Sequence, residues 1–313
     1  MTGVAEAAPA DREARPGVIP APRMPSPASD RAPLGAHVSA AGGVSEAAAR
    51  AKAIGATAMQ LFTKQASRWA ERMCADDECL AFRAGVAATE VRRTAAHDSY
   101  LINLGSPNPV LRARSCASFI AELRRSDALS IDYIVSHPGN YMDERASGLA
   151  RNIDAIVAAL EEAPGRVKVL METTAGAGTG LGATFEEIAA LIEGVPEPLR
   201  QRMGTCVDTC HVFAAGYDLV GDYDGVWTRF GDVVGFDRLH MMHLNDSKFG
   251  LGTHRDRHDL IGEGHLGEAV FRRIMTDPRL QAVAKVIETP KGDNAIVTDA
   301  RMLARLRAYA GGG

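Results

Sequence analysis

The sequence predicts an α/β fold, a (β/α)8 TIM barrel, on three observations. Short β-type runs alternate with helix-type stretches from residue 34 onward, eight such runs can be counted, and no Pro/Gly-rich linker breaks the order. Eight strand–helix repeats imply parallel pairing through right-handed crossovers, and such a sheet closes on itself. A doubly wound open sheet is the alternative. No glycine-rich dinucleotide fingerprint follows the first run, however: Gly35-Ala36-His37 lies within it, and Gly42-Gly43 reads as a plain turn.

Residues 1–33 are rich in Ala and Pro and show no apolar periodicity. Their charges alternate and cancel, Glu6, Asp11, Glu13 and Asp30 against Arg12, Arg15, Arg23 and Arg31. This predicts a disordered N-terminal extension that is neither a basic arm nor a polyproline ligand, followed by one barrel domain over 34–313. The strands are expected at 34–39, 58–63, 94–97, 133–137, 168–173, 204–208, 240–245 and 285–289. Between them lie amphipathic stretches. Val44, Ala47, Ala48, Ala51 and Ile54 recur at helical spacing, 149–160 reads the same way, and the last helix is expected near 296–309.

With 313 residues the chain has room for two average domains or one large barrel, so length does not choose. Hydrophobic residues make up 46% and charged residues 24%, and no apolar run is long enough to span a bilayer. The first residues lack the basic and apolar regions of a secretory signal, which predicts a cytoplasmic protein. Cys74, Cys79, Cys116, Cys206 and Cys210 form an odd set without a CxxC pair, fitting neither a disulfide framework nor a zinc ribbon. Cys206 and Cys210 read as small buried hydrophobes.

The most informative pattern is positional. His97, His137, Glu172, Asp208, His243 and Glu288 fall at or near the C-terminal ends of the third to eighth strands, the ends that converge where barrel enzymes build their sites. His211 follows Asp208 by three residues, and Asp256 and His258 stand two apart in the loop after the seventh strand. Five histidines and four carboxylates are too many for one zinc ion but suit three if one carboxylate bridges. A metal-free cluster of this kind would carry desolvation costs with nothing to offset them. His37, His240, His254 and His265 are expected to be structural or to support the ligands.

The runs 35–43, 97–104, His137-Pro138-Gly139, 172–176 and Asp208-Thr209-Cys210-His211 resemble the endonuclease IV apurinic/apyrimidinic endonucleases. So do 243–248, Asp256-Arg257-His258, Gly262-Glu263-Gly264 and Ile287-Glu288-Thr289, in the same order, so that the likeness runs from about residue 34 to the C-terminus. The resemblance implies a barrel with three zinc ions. One would be held by His97, His137 and Glu172; a second by Glu172 together with Asp208, His243 and Glu288; a third by His211, Asp256 and His258. It implies hydrolysis of the phosphodiester 5′ of an abasic site in double-stranded DNA during base excision repair, giving a 3′-hydroxyl and a 5′-deoxyribose phosphate. The catalytic carboxylates would be Glu172, which bridges, and Glu288, which orients the nucleophile. Tyr100 and Leu101 match positions that wedge into the duplex beside an extruded abasic nucleotide.

One segment departs from the family pattern. Where the family usually has Asn-Pro-Arg or Asn-Gln-Arg after Phe-Thr-Lys, this chain reads Gln65-Ala66-Ser67-Arg68, with the arginine moved by one position. Either Arg68 contacts DNA through a different loop conformation, or Ser67 takes the place and damage discrimination weakens. The formal net charge of −4 is unusual for a DNA-binding protein, although three divalent ions would bring it to +2 and concentrate the positive charge at the site. The competing readings are a divalent-metal sugar isomerase on the same barrel and a non-catalytic damage-binding protein. A monomer is expected, with no protein partner implied, because a duplex must reach the whole C-terminal face.

Overall fold

A computed structural model of the chain, describing Met1 and residues 32–311, contains eight parallel strands closed into a barrel. They are β1 (Leu34–His37), β2 (Ala58–Phe62), β3 (Arg93–His97), β4 (Tyr133–Ser136), β5 (Lys168–Glu172), β6 (Met203–Asp208) and β7 (Leu239–His243). Two short strands, β8 (Asp246–Ser247) and β9 (His258–Asp259), then form a separate antiparallel pair, and β10 (Ala284–Ile287) closes the barrel between β7 and β1. The extension expected at 1–33 lies almost wholly outside the described residues. No described helix is long and apolar enough to cross a membrane.

The barrel is the one the alternation predicts, with ends that differ by one or two residues. The runs ending at Ser39, Thr63, His137, Thr173, Asn245 and Thr289 outlast the observed strands, because ladder pairing stops earlier and the chain turns out over the mouth. The helices expected at 44–54, 149–160 and 296–309 are observed as Glu46–Ala53, Arg145–Glu162 and Ala295–Tyr309. The pair β8 and β9 is too short to leave a periodic signal.

Period-two alternation explains how the barrel is filled. Ala58, Ala95, Val135, Leu170, Cys206, Met241 and Val286 point inward and, with Ala284, form one buried apolar layer. Two residues further along each strand direction stand Gln60, His97, His137, Glu172, Asp208, His243 and Glu288. The apolar layer is thus the floor, and the next inward position on each strand is the site. At the start of β1 a Cβ on Gly35 would lie 1.6 Å from the carbonyl oxygen of Ala58, so only glycine lets β1 and β2 approach this closely.

The helix Pro109–Leu129 has an unusual inner face. Asn108 starts it, its side chain accepting from the N–H groups of Val110 and Leu111 with Pro109 in the first turn, and Ser130 ends it in the left-handed conformation at φ 58°. Its buried residues include Ser115, Ser118, Glu122 and Arg125 as well as Phe119 and Leu123. The fully buried Arg125 donates from Nε to Thr63 Oγ1 at 2.9 Å, and from Nη1 to Glu71 Oε2 at 2.9 Å and the Arg72 carbonyl at 2.8 Å. Its Nη2 lies 2.8 Å from Glu122 Oε2, which accepts from Thr63 Oγ1 at 2.6 Å. These contacts fasten both ends of the 63–72 segment, whose middle carries Gln65-Ala66-Ser67-Arg68.

Candidate metal centre

Six strand ends, the helix Thr209–Ala215 and the excursion after β7 bring the nine proposed ligands to one mouth. Their donor atoms fall into three groups: His97, His137 and Glu172; Glu172, Asp208, His243 and Glu288; and His211, Asp256 and His258. Glu172 is fully buried and central, with His243 Nδ1 at 2.9 Å, His137 Nε2 at 3.0 Å, His97 Nε2 at 3.2 Å and His211 Nδ1 at 3.4 Å from its oxygens. Asp208 Oδ2 lies 3.5 Å from His258 Nε2 and 3.9 Å from His243 Nδ1. Two donor atoms each about 2.0–2.2 Å from a tetrahedral ion stand ~3.3–3.5 Å apart. Among pairs within one group, His211 Nε2 and His258 Nε2 each lie 3.3 Å from Asp256, and His97 Nε2 lies 3.2 Å from Glu172, close to that spacing, while the 2.9 and 3.0 Å pairs stand at hydrogen-bond distance.

Two further observations test that fit. The Nε2 atoms of His211 and His258 are buried without a hydrogen-bond partner, although each lies 3.3 Å from an oxygen of Asp256. A buried imidazole nitrogen left in that state is costly unless something binds its lone pair. The opposite ring nitrogens face groups that can only accept: His97 Nδ1 meets the Asp98 carbonyl at 2.9 Å, His211 Nδ1 the Thr173 carbonyl at 2.8 Å, and His258 Nδ1 the Glu288 carbonyl at 3.3 Å. A nitrogen facing a carbonyl must carry the proton. In its neutral form each of these three rings therefore presents an unprotonated Nε2 to the centre, the arrangement in which imidazole binds metal.

Without metal the cluster must neutralise itself. Burial would lower His97, but the hydrogen bond and charge of Glu172, helped by Asp98, raise it to about 9. Burial would raise Glu172, but the charges of His243 and His137 hold it well below the usual carboxylate range. Protons thus occupy the metal-free centre at neutral pH, and a metal must displace them. Zinc added to metal-free protein at pH 7 is expected to release at least one proton per chain, measured calorimetrically in buffers of different ionisation enthalpy. The His97 share should vanish above about pH 9, where that ring is already neutral. The sign follows for stability too. A raised histidine stabilises the metal-free fold most fully below its unfolded value of ~6.5 and loses that contribution as pH rises through the folded value. Proton release independent of pH from 7 to 10 would contradict this charge arrangement.

The site opens into a cavity of about 190 Å³ lined in part by His97, Tyr100, His137, Gly176, His211 and Asp256. Tyr100 is 68% exposed at its rim, packed edge-on against Phe62 at 5.2 Å between ring centres, while Leu101 is half-buried. Arg68 is exposed and borders an adjoining groove with His37, Phe62, Lys64 and Lys291. The turn before it is tied by Arg68 N–H to the Gln65 carbonyl at 3.1 Å, and Ser99 Oγ donates to the Ala66 carbonyl at 2.6 Å.

A family model described as a xylose isomerase-like TIM barrel matches residues 48–306. The probable endonuclease 4 of Chloroflexus aurantiacus is 44% identical over 285 residues, covering 89% of this chain and 98% of the relative. The chain belongs to the endonuclease IV family. Another of its relatives in that family, the probable endonuclease 4 of Geotalea daltonii, is 43% identical and covers 83% of this chain and 92% of its own length. The crystal structure of endonuclease IV from Thermus thermophilus superposes with a TM-score of 0.80 at 36% identity, over 89% of this chain and 99% of that one.

Of the other histidines, His240 stacks on Tyr133, 5.7 Å between centres, at the start of β7, and His254 Nδ1 donates to the Ala175 carbonyl at 2.8 Å. His37 stands behind a proposed ligand, its Nδ1 lying 3.3 Å from Glu288 Oε1. Two residues outside the ligand pattern also reach the centre. Asn245 donates to Asp208 Oδ2 at 2.7 Å while its Oδ1 accepts the Glu288 N–H at 2.8 Å. Gln60 touches both Glu288 and His243. Asparagine and glutamine carry no ligand signature, and only the inward parity of Gln60, two positions after Ala58, could have found it. Cys206 and Cys210 are buried as expected, Cys206 in β6 and Cys210 in the helix Thr209–Ala215.

Proposed function

We propose that this protein is a zinc-dependent apurinic/apyrimidinic endonuclease of base excision repair. It hydrolyses the phosphodiester 5′ of an abasic site in double-stranded DNA, leaving a 3′-hydroxyl and a 5′-deoxyribose phosphate. The observation that carries this reading is the three adjacent donor groups, two of them joined through Glu172, at an open barrel mouth. A sugar isomerase has no evident use for the third group, His211, Asp256 and His258, whereas a phosphodiester offers several charged oxygens to neutralise.

Three zinc ions bound here would supply the positive charge that a phosphodiester in displacement requires and would acidify an attacking water. The chain's own residues do the rest. Glu288 has a 19% exposed side chain, one oxygen of which accepts from Gln60 at 2.7 Å and lies 3.3 Å from His37 Nδ1, and it orients the water. Burial would raise its carboxyl, but the charge of His243 above all keeps it well below the usual range, so it is ionised at neutral pH. Tyr100 and Leu101 at the rim wedge into the duplex, and Arg68 lies where it can follow them. A missing base lowers the cost of extruding the nucleotide, because no pairing there has to be broken. The protein acts as a monomer in the cytoplasm.

The deciding experiment is cleavage of a labelled duplex with one central abasic site. Nicking that leaves a 3′-hydroxyl is expected, lost with a strong chelator and restored by zinc; a metal-replete protein that leaves the duplex intact would overturn the reading. Elemental analysis is expected to give three zinc ions per chain. Replacing Tyr100 by alanine should raise KM for the abasic duplex roughly tenfold, in keeping with ~1–3 kcal/mol for a stacked aromatic side chain, with bound zinc unchanged. An unaltered KM would place Tyr100 outside the DNA contact.

A further inference from the structure

Three of the site imidazoles are oriented by backbone carbonyls, which no substitution can remove, but His243 is oriented by a side chain. Its Nε2 lies 2.9 Å from Gln60 Oε1, on the far side of the ring from the carboxylates of Glu172, Glu288 and Asp208. The other end of the same amide, Gln60 Nε2, lies 2.7 Å from Glu288 Oε1 and 3.0 Å from His37 Nδ1. Gln60 is fully buried on β2, where register sets it opposite His37 of β1 and Ala95 of β3.

An amide can face either way, so its direction has to be deduced. A Glu288 carboxylate placed to hold metal only accepts, which sets the NH2 group of Gln60 toward it, 2.7 Å away, and the carbonyl oxygen toward His243, 2.9 Å away. His243 must then donate from Nε2. In the neutral ring the one proton is then held on the outer nitrogen and the lone pair is left on Nδ1, on the side of the three carboxylates, where an ion would be bound.

We propose that Gln60 is a positioning residue of the reaction. It sets the tautomer of His243 and clamps Glu288, and so prepares the Glu172, Asp208, His243 and Glu288 group to hold its ion. The inference rests on the metal reading above and deepens it. β1 and β2 supply none of the nine proposed ligands, and through His37 and Gln60 they complete the closure of the centre from that side.

The test compares native protein with Gln60→Met, matched in volume without the amide, and Gln60→Glu. Zinc affinity by chelator competition is the first readout. Gln60→Met is expected to weaken one ion by roughly 10- to 100-fold and leave the others at native affinity, the usual loss when an outer partner of a ligand is removed. The second readout is the His243 imidazole N–H proton in the zinc-loaded protein by NMR, expected to be protected from exchange in native protein and unprotected in Gln60→Met. The third uses the pH dependence of Gln60→Glu. A protonated glutamic acid can copy the amide, donating to Glu288 and accepting from His243, whereas its ionised form repels Glu288. Zinc loss in this variant should therefore grow as the new carboxyl ionises, relative to native protein at each pH. With either variant, kcat for nicking should fall while KM for the duplex holds.

Native affinity for every ion in Gln60→Met overturns the inference. Should that variant fail to fold, a Gln60→Glu protein with native affinity at all pH values does so. Native protein that binds no divalent ion overturns the metal reading and this inference together; native protein that binds zinc and nicks DNA, with variants doing so equally well, overturns this inference alone.

Discussion

Glu288→Gln is expected to reduce single-turnover nicking of an abasic duplex by at least about a thousandfold, within the range seen when a group acting directly on a proton or nucleophile is removed. The substitution keeps the size of the side chain and an oxygen that can accept from Gln60, so folding should survive. It removes one negative charge from a group of three carboxylates and one imidazole, and on the proposed reading it also removes the group that orients the water. On the proposed reading duplex binding depends on the rim and should persist, which separates kcat from KM. Activity within tenfold of native, with zinc retained, would show that Glu288 neither orients the nucleophile nor is needed to hold metal. Binding without cleavage in the native protein as well would point instead to a damage-binding role.

Arg125→Met should cost about 3–5 kcal/mol of stability, the usual penalty for breaking a buried ion pair from one side. Arg125 is fully buried and Glu122 is 1% exposed, so removing the guanidinium strands a carboxylate whose remaining donor is Thr63. The variant also frees Glu71 and the Arg72 carbonyl, loosening the segment that carries Arg68. Chemical denaturation would measure the loss. The double variant Arg125→Met, Glu122→Gln is expected to recover most of it, because the stranded charge accounts for most of the penalty and the two side chains are in direct contact. A loss under about 1 kcal/mol in the single variant would mean that water replaces the guanidinium, which a buried pair does not allow.

The barrel was legible because its signal repeats. Seven of the eight strands carry an apolar floor residue two positions before a polar one, and six of those polar ones are histidine or carboxylate at successive strand ends. What the sequence concealed is polar without being a ligand. Glutamine at 60 looks like an ordinary strand residue until β2 is placed between β1 and β3. The helix Pro109–Leu129 shows little amphipathic contrast because Ser115, Ser118, Glu122 and Arg125 occupy its inner face, answering a loop some fifty residues earlier in the chain. Such pairing across long sequence separation leaves no local periodicity to read. The clustering of Asp256 and His258 against His211 likewise depends on the β8–β9 pair, two residues per strand, which no pattern announces.

The clamp at the root of the 63–72 segment bears on how the protein would sort one duplex from another. A segment held at both ends by a buried guanidinium cannot mould itself to what it touches, so on the proposed reading the accommodation falls on the nucleic acid. Intact DNA is a stiff rod whose bending through tens of degrees costs on the order of 1–6 kcal/mol, while a site that lacks a base is already a joint. Selection for damage would then be mechanical. The protein supplies a fixed shape, and the lesion is the place where the rod gives way.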